Sequence, residues 1–488
     1  MSRPPSSLPP ASAAATSKAF RRKLHGYYGA YGVGCALFLA TMFWAEQQGL
    51  PRRWIGFIFL AAPLVVYAVI GVMSRTADPV EYYVAGRRVP ALYNGMATGA
   101  DWMSAASFIG MAGTLYLSGY DGLAFILGWT GGYCLVALLL APYLRKFGQF
   151  TIPDFLGARY EGRWPRLIGI GATMLCSFIY VVAQIYGVGL ITTRLTSIAS
   201  FEIGVFLGLG GILVCSFLGG MRAVTWTQVA QYIVLVVAYL VPVVWLSIKQ
   251  TGVPVPQLVY GYQLQKVSEA EARLRADPKE QQVIAVFQTR ASELAGKLRD
   301  VPAALQADQA AAQHKVAALL EGDAPQRQIQ AAERALAALP KNEAAAVESW
   351  TREQRVNEER ARPLAGMPEH AKPFAGDPQG DAGARRAYQD SRRNFLALVF
   401  CLMVGTAALP HILMRYYTTP TVKEARESVT WSLLFIVVLY VSAPALAVMV
   451  KFEIFTSLVG TPFDHLPAWI ANWSKVDPAL LSVVDVNG

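Results

Sequence analysis

Much of this chain consists of apolar runs of 18 or more residues that carry almost no charge. A run of that length crosses the hydrocarbon core of a bilayer as a helix. Hydrophobic residues make up 54% of the 488, and only 16% are charged, against about a quarter in soluble domains. An ordinary soluble enzyme and a secreted disulfide scaffold are thereby excluded. The five cysteines (Cys35, Cys134, Cys176, Cys215, Cys401) lie inside the apolar runs without paired spacing. They read as small core residues rather than disulfides or metal ligands.

The runs predict nine spans, at about 28–45, 54–73, 92–117, 121–144, 166–192, 202–219, 225–247, 394–416 and 428–450. Residues 1–27 are expected to be a disordered, basic N-terminus, and the Ser/Pro/Ala-rich stretch is the reason. The run after it could be the apolar core of a signal peptide, but Glu46-Gln47-Gln48 follows without a clear cleavage site, which favours a retained span. The net charge of +10 is not a nucleic-acid patch. Residues 251–393 hold 20 Lys and Arg against 19 Asp and Glu, so the surplus lies in the short loops. With the N-terminus placed in the cytoplasm, sixteen basic residues fall on the inner side, in clusters at 18–23, 75–88, 145–166, 222 and 415–426. Four (Arg52, Arg53, Arg194, Lys451) fall outside, and this asymmetry sets orientation. It puts segment 251–393 on the outer face and reads Arg415 to Arg426 as a cytoplasmic anchor.

Segment 251–393 is rich in Ala, Glu, Gln, Lys and Arg, with helix stops expected near Pro278, Pro302, Pro325 and Pro340. Val283, Val286, Leu294 and Leu298 recur at helical spacing, so two to four amphipathic helices are expected before a Pro/Gly-rich linker at 363–383. The segment is either a solvated spacer or a module for a protein partner.

No nucleophile elbow, phosphate loop, paired Cys-x-x-Cys or metalloprotease motif is present, so the chain does not read as an enzyme and calls for no cofactor. The informative segment is Met96 to Ser107 in the third span, small and polar at its centre and carrying Asp101. An acid in mid-bilayer costs about 2.5–3.5 kcal/mol on insertion scales and therefore faces a partner, a cation or water. Small neighbours let the helix unwind there; the plainer reading is close helix packing. Gly405 and Pro410 interrupt a second span in the same way. Five helices separate the two interruptions, so the two halves run in opposite senses, which is the mark of a secondary transporter built from inverted repeats. Gly128-x-x-x-Gly132 reads as a packing face, and Tyr180, Gln184 and Tyr186 could line a cavity, although lipid-facing or interhelical positions are commoner for such residues.

Several motifs in order resemble the sodium:solute symporter family. They are Tyr82-Tyr83-Val84-Ala85-Gly86-Arg87-Arg88, Ser104 to Met111, Ser118-Gly119-Tyr120-Asp121-Gly122, Thr151-Ile152-Pro153-Asp154-Phe155 and Gly219 to Gln228. Ala100 to Phe108 and Leu409 to Arg415 are most similar to the cation/acetate permease branch. The resemblance implies an all-α membrane protein with a leucine-transporter-like inverted-repeat bundle and sodium-coupled uptake of a small organic anion, acetate first. It implies sodium held by the carbonyls of Ala100 and Met103, with Asp101 beside them. Substrate contacts would come from Asp101, Trp102, Ser107, Gly405, Thr406 and Leu409. The expected organisation is two N-terminal spans (28–73), a first repeat (74–250), the outer insert (251–393), the start of a second repeat (394–450) and an outer loop (451–488). The second repeat would then be incomplete, as in a truncated sequence, and the insert is unusual for the family. The membrane implied is a bacterial inner membrane. The rival readings are a symporter-like sensor module and a membrane anchor for an interaction domain.

Overall fold

The computed structural model describes residues 10–104, 106–196, 201–322 and 325–474, and every element among them is helical. The chain divides into two compact units. One contains Met1–Gln263 and Lys372–Ala468; the other contains Leu264–Ala371 and the segment from Trp469.

The first unit opens with α1 (Pro10–Gln47) and α2 (Arg52–Met73). Helix α1 begins inside the stretch expected to be disordered. Proline is tolerated at a helix start and Ala13-Ala14-Ala15 are strong helix formers. Helix α3 (Pro79–Val84) is capped by Asp78, whose carboxylate accepts from the Val80 N–H at 3.0 Å. Ala85, Gly86 and Arg87 then all take positive φ. A Cβ on Gly86 would lie 2.8 Å from Glu81 Oε1, so this turn has room only for glycine. Glu81 is itself paired with Arg88 and, at 3.5 Å, with Arg222.

Helix α4 (Ala91–Trp102) stops in mid-span. After a π-helical turn at Ala106–Gly110 the chain resumes as α5 (Met111–Ser118), then α6 (Leu123–Leu135) and α7 (Ala141–Phe147). Thr151 caps α8 (Ile152–Tyr160), and long α9 (Arg163–Thr196) and α10 (Phe201–Thr251) follow. Gly220 kinks α10 at φ 51°, ψ −140°. Its missing Cβ would meet Tyr82 O at 2.6 Å, so two of the motif segments touch here.

Five helices come next: α11 (Pro256–Arg275), α12 (Pro278–Lys297), α13 (Val301–Glu321), α14 (Gln326–Ala338) and α15 (Glu343–Arg360). The chain returns to the first unit as α16 (Ala382–Ala407), α17 (Pro410–Met414), a 3₁₀ turn at Arg415–Thr418 and α18 (Val422–Ser457). A short α19 (Ala468–Ser474) ends the described chain.

Among the described residues, six helices are long and apolar enough to cross a membrane. A seventh is added if α16 and the bent continuation through Thr418, at 42° to it, count as one. The nine expected spans differ for local reasons. The 92–117 run is broken after Trp102 and helical turns join Met111 to Phe147, while the 202–219 and 225–247 runs are two helices that meet at the non-helical Gly220. The first unit is closed by contacts that need small or polar residues. Asn94, fully buried, donates to Ser428 Oγ at 2.7 Å and accepts from Thr418 Oγ1 at 3.0 Å, tying α4 to α18 and to the 3₁₀ turn.

In the second unit, helices end just before the four prolines, as expected, at Arg275, Lys297, Glu321 and Ala338. Pro278 and Pro302 also sit in the first turns of the next helices, behind the caps Asp277 and Asp300, and Pro325 immediately precedes α14. The unit has five helices where two to four were expected, and its compact part is 264–371, not 251–393. Leu305, Ala346 and Trp350 form a buried cluster with Leu294 and Leu298 against it, and the Lys297 ammonium lies 5.6 Å from the centre of the Trp350 ring. Removing an indole from such a site costs about 3–5 kcal/mol. Trp350→Ala is therefore expected to speed amide exchange throughout α12, α13 and α15 while leaving α18 protected, as measured by hydrogen–deuterium exchange.

Candidate functional site

Two interrupted helices build the site. Helix α4 ends where Met103 leaves helical geometry (φ −78°, ψ 60°), its N–H still donating to Gly99 O at 3.1 Å. The last carbonyls of a helix have no partner inside it. One of them, Trp102 O, is satisfied by Ser107 Oγ at 2.5 Å, which folds the chain back across the break. Across from it, α16 ends at Ala407, Leu409 is extended (φ −63°, ψ 117°), and Pro410 restarts the chain as α17. Pro410 has no N–H to donate and cannot continue the preceding helix, so the bend is set by the residue type.

Between the breaks lies a cavity of about 260 Å³. Trp102, Trp129, Tyr180, His411 and Tyr440 form its aromatic wall. The His411 and Tyr180 rings are tilted face to face at 4.5 Å, and Trp102 meets Tyr133 edge-on at 5.1 Å behind the wall. Asp101, Ser104, Ser107, Gln184 and Thr406 supply the polar lining. Trp102 Nε1 is buried beside the Tyr440 hydroxyl.

Asp101 stands in the last turn of α4, where the helix dipole disfavours a negative charge. The compensation comes from Arg415, only 2% exposed. Its Nε donates to Asp101 Oδ2 at 2.5 Å and its Nη2 to Oδ1 at 3.1 Å. Gln228 Nε2 also donates to Oδ1. Arg415 Nη1 donates to Thr225 Oγ1 at 2.9 Å and approaches Met221 Sδ at 3.6 Å. The reading of Arg415 as a cytoplasmic anchor is corrected: the 3₁₀ turn at 415–418 rolls its side chain into the core, where an anchor could not reach headgroups.

The expected substrate contacts divide. Asp101, Trp102, Ser107, Thr406 and Leu409 line the cavity together. Gly405 does not; it is exposed, with open space where a Cβ would stand. Ala100 and Met103 are buried in the core cluster at the helix end, beside the cavity rather than on its wall. Of the three residues named as possible cavity lining, Tyr180 and Gln184 line it, whereas Tyr186 is exposed. Sequence reasoning missed Arg415, Gln228, Trp129 and Tyr440. The usable signal was there for Gln228, the last residue of a quoted motif, and for His411, the one histidine within a span.

The sequence profile of the sodium:solute symporter family matches residues 82–295. An uncharacterized symporter of Cupriavidus necator is 50% identical over 475 residues, which is 96% of this chain and 68% of that protein. A monocarboxylic acid transporter of Corynebacterium glutamicum is 25% identical over 399 residues, 81% of this chain and 55% of that protein. The chain thus spans just over two thirds of one relative's length and about half of the other's. A solved structure of a Na+-coupled sialic acid symporter, in a substrate-bound outward-open state, aligns over 87% of this chain and 83% of its own with 14% identity and a TM-score of 0.32. The motifs, the profile match and the identity to a symporter along nearly the whole chain agree, and the chain belongs to the sodium:solute symporter family.

Proposed function

We propose that this integral membrane protein couples inward sodium flow to uptake of a small organic monoanion, with acetate or another short monocarboxylate as the substrate. The observation that carries this reading is the cavity where the two helix breaks meet, whose one acid is already neutralised by Arg415. A carboxylate entering it finds neutral hydroxyl donors on Ser104 and Thr406, above an aromatic floor that suits a short apolar tail. The Corynebacterium relative's name supports the substrate class, as does Leu409-Pro410-His411 at the second break. Sodium is assigned to the carbonyls of Ala100 and Met103, with Asp101 supplying the nearest negative charge. The charge asymmetry of the loops, now fifteen against four without Arg415, supports a cytoplasmic N-terminus in a bacterial inner membrane and an external insert.

The test is uptake of labelled acetate by the full-length protein in proteoliposomes, with and without an inward sodium gradient. With one sodium per acetate the charges cancel and only chemical gradients drive accumulation. A ten-fold sodium gradient, about 1.4 kcal/mol, then supports accumulation of up to about ten-fold. Accumulation without sodium would withdraw sodium as the coupling ion, and none with folded protein under any gradient would withdraw acetate as the substrate.

A further inference from the structure

We infer that Arg415 is a positioning residue that sets the charge of the transport cavity, so that the Asp101–Arg415 pair rather than Asp101 alone selects an anion and tunes sodium affinity. The inference rests on the monoanion reading for its substrate arm. Four observations lead to it. Asp101 lines the cavity and Arg415 does not, so the guanidinium acts on the guest by its charge and not by contact. The pair is almost fully withdrawn from solvent, with side-chain exposures of 2% for Arg415 and 10% for Asp101, so nothing screens it. The guanidinium is held from three sides by Asp101, Thr225 and Met221. Finally, both carboxylate oxygens are already accepting hydrogen bonds, from Arg415 and Gln228.

The cavity therefore presents a sum of charges close to zero. Removing the cation leaves a net negative wall, which repels a carboxylate and attracts sodium. Removing the anion does the reverse. Removing both returns the sum to zero. A residue that only propped the fold would move both affinities in the same direction, or neither.

The test uses the full-length protein carrying Arg415→Gln, Asp101→Asn or both. Acetate KM is read at saturating sodium. Sodium affinity is read separately, from the rise in unfolding temperature with NaCl against KCl at constant ionic strength and with no organic solute present. Arg415→Gln is expected to raise acetate KM at least ten-fold and to lower half-saturating sodium several-fold. Asp101→Asn is expected to shift both the other way, and the double variant to return both to within about three-fold of the parent. Where a single variant fails to fold, the double variant decides, because it buries no lone charge. Parallel shifts in the two affinities, or a double variant no nearer the parent than the singles, would overturn the inference. If the parent takes up no monocarboxylate, the substrate reading fails and the sodium arm alone decides. An unchanged sodium response in Arg415→Gln would then refute the role of the pair.

Discussion

Asp101→Asn is expected to raise the sodium concentration for half-maximal uptake at least ten-fold while leaving the protein in the membrane. The magnitude follows from charge and surroundings. Two unit charges about 5 Å apart interact by about 3 kcal/mol at an effective dielectric of 20, and each 1.4 kcal/mol is a factor of ten in affinity. Burial allows that much because Asp101 shares its site with Arg415, Gln228 and aromatic rings instead of bulk water. Asparagine keeps the size and one acceptor for Arg415, so helix insertion has no reason to fail. It also leaves the guanidinium without its counter-ion, and breaking a buried pair from one side costs about 3–5 kcal/mol. Lower thermal stability should therefore accompany the weaker sodium response. Sodium-dependent uptake in proteoliposomes and unfolding temperature in detergent measure the two effects. An unchanged sodium requirement would return Asp101 to a purely structural role, as the cap of an interrupted helix.

Why Asp101 was legible from the sequence and its partner was not is a matter of what each residue type excludes. A lone acid within a long apolar run has few resting places, and small residues on both sides of it, from Gly99 to Ser107, announce that the helix can open there. Pro410 announces the second break as firmly, because it forbids helical continuation. Arg415 has no such uniqueness. It comes at the end of an apolar run, in a position where loop arginines are common, and only the 3₁₀ turn after α17 decides that it points inward. Tyr440 and Trp129 are hidden for the opposite reason, since aromatic residues suit lipid-facing, core and cavity positions equally well. In the second unit, Asp277, Asp300 and Asn342 were readable as caps, and the prolines near them mark the same boundaries. Those prolines mark the ends of the preceding helices, as expected, and their local chemistry also suits the start of the next. The periodic Val283 and Val286 are only half-buried, while Ile284, Phe287 and Ala291 carry the buried face. The stripe was placed one residue off because its valines were counted before its larger side chains.

Gly132→Val is expected to cost at least about 3 kcal/mol and to lower the unfolding temperature enough that little folded protein survives extraction. Gly128 and Gly132, one helical turn apart on α6, both face α16. A Cβ at Gly132 would stand 2.6 Å from Met403 O and 2.7 Å from Thr406 Cβ, and one at Gly128 would stand 2.5 Å from Leu402 Cβ. Apolar side chains gain little from leaving lipid for another helix, so such interfaces depend on backbones coming close enough for dispersion contacts, which Gly permits and Val does not. The obstacle at Gly132 is a backbone carbonyl, which cannot rotate away as a flexible side chain can. Forcing even one extra methylene into a close-packed site costs about 1–3 kcal/mol, and valine adds three carbons. The displacement would also reach the cavity, because Thr406, the residue pushed aside, lines it. Gly405 provides the internal comparison. It lies on the same helix α16, with nothing within 4 Å of its would-be Cβ, so Gly405→Ala should gain about 0.5–1 kcal/mol from helix propensity and keep acetate KM unchanged. Beyond the size of the new side chain, the two substitutions differ in what faces the first new carbon. If Gly132→Val unfolds at the parent's temperature, close approach of α6 and α16 is not what holds the second break against the first. If Gly405→Ala raises KM ten-fold, Gly405 regains the substrate contact expected of it from the sequence, and the cavity must extend past Thr406 toward the exposed face of α16.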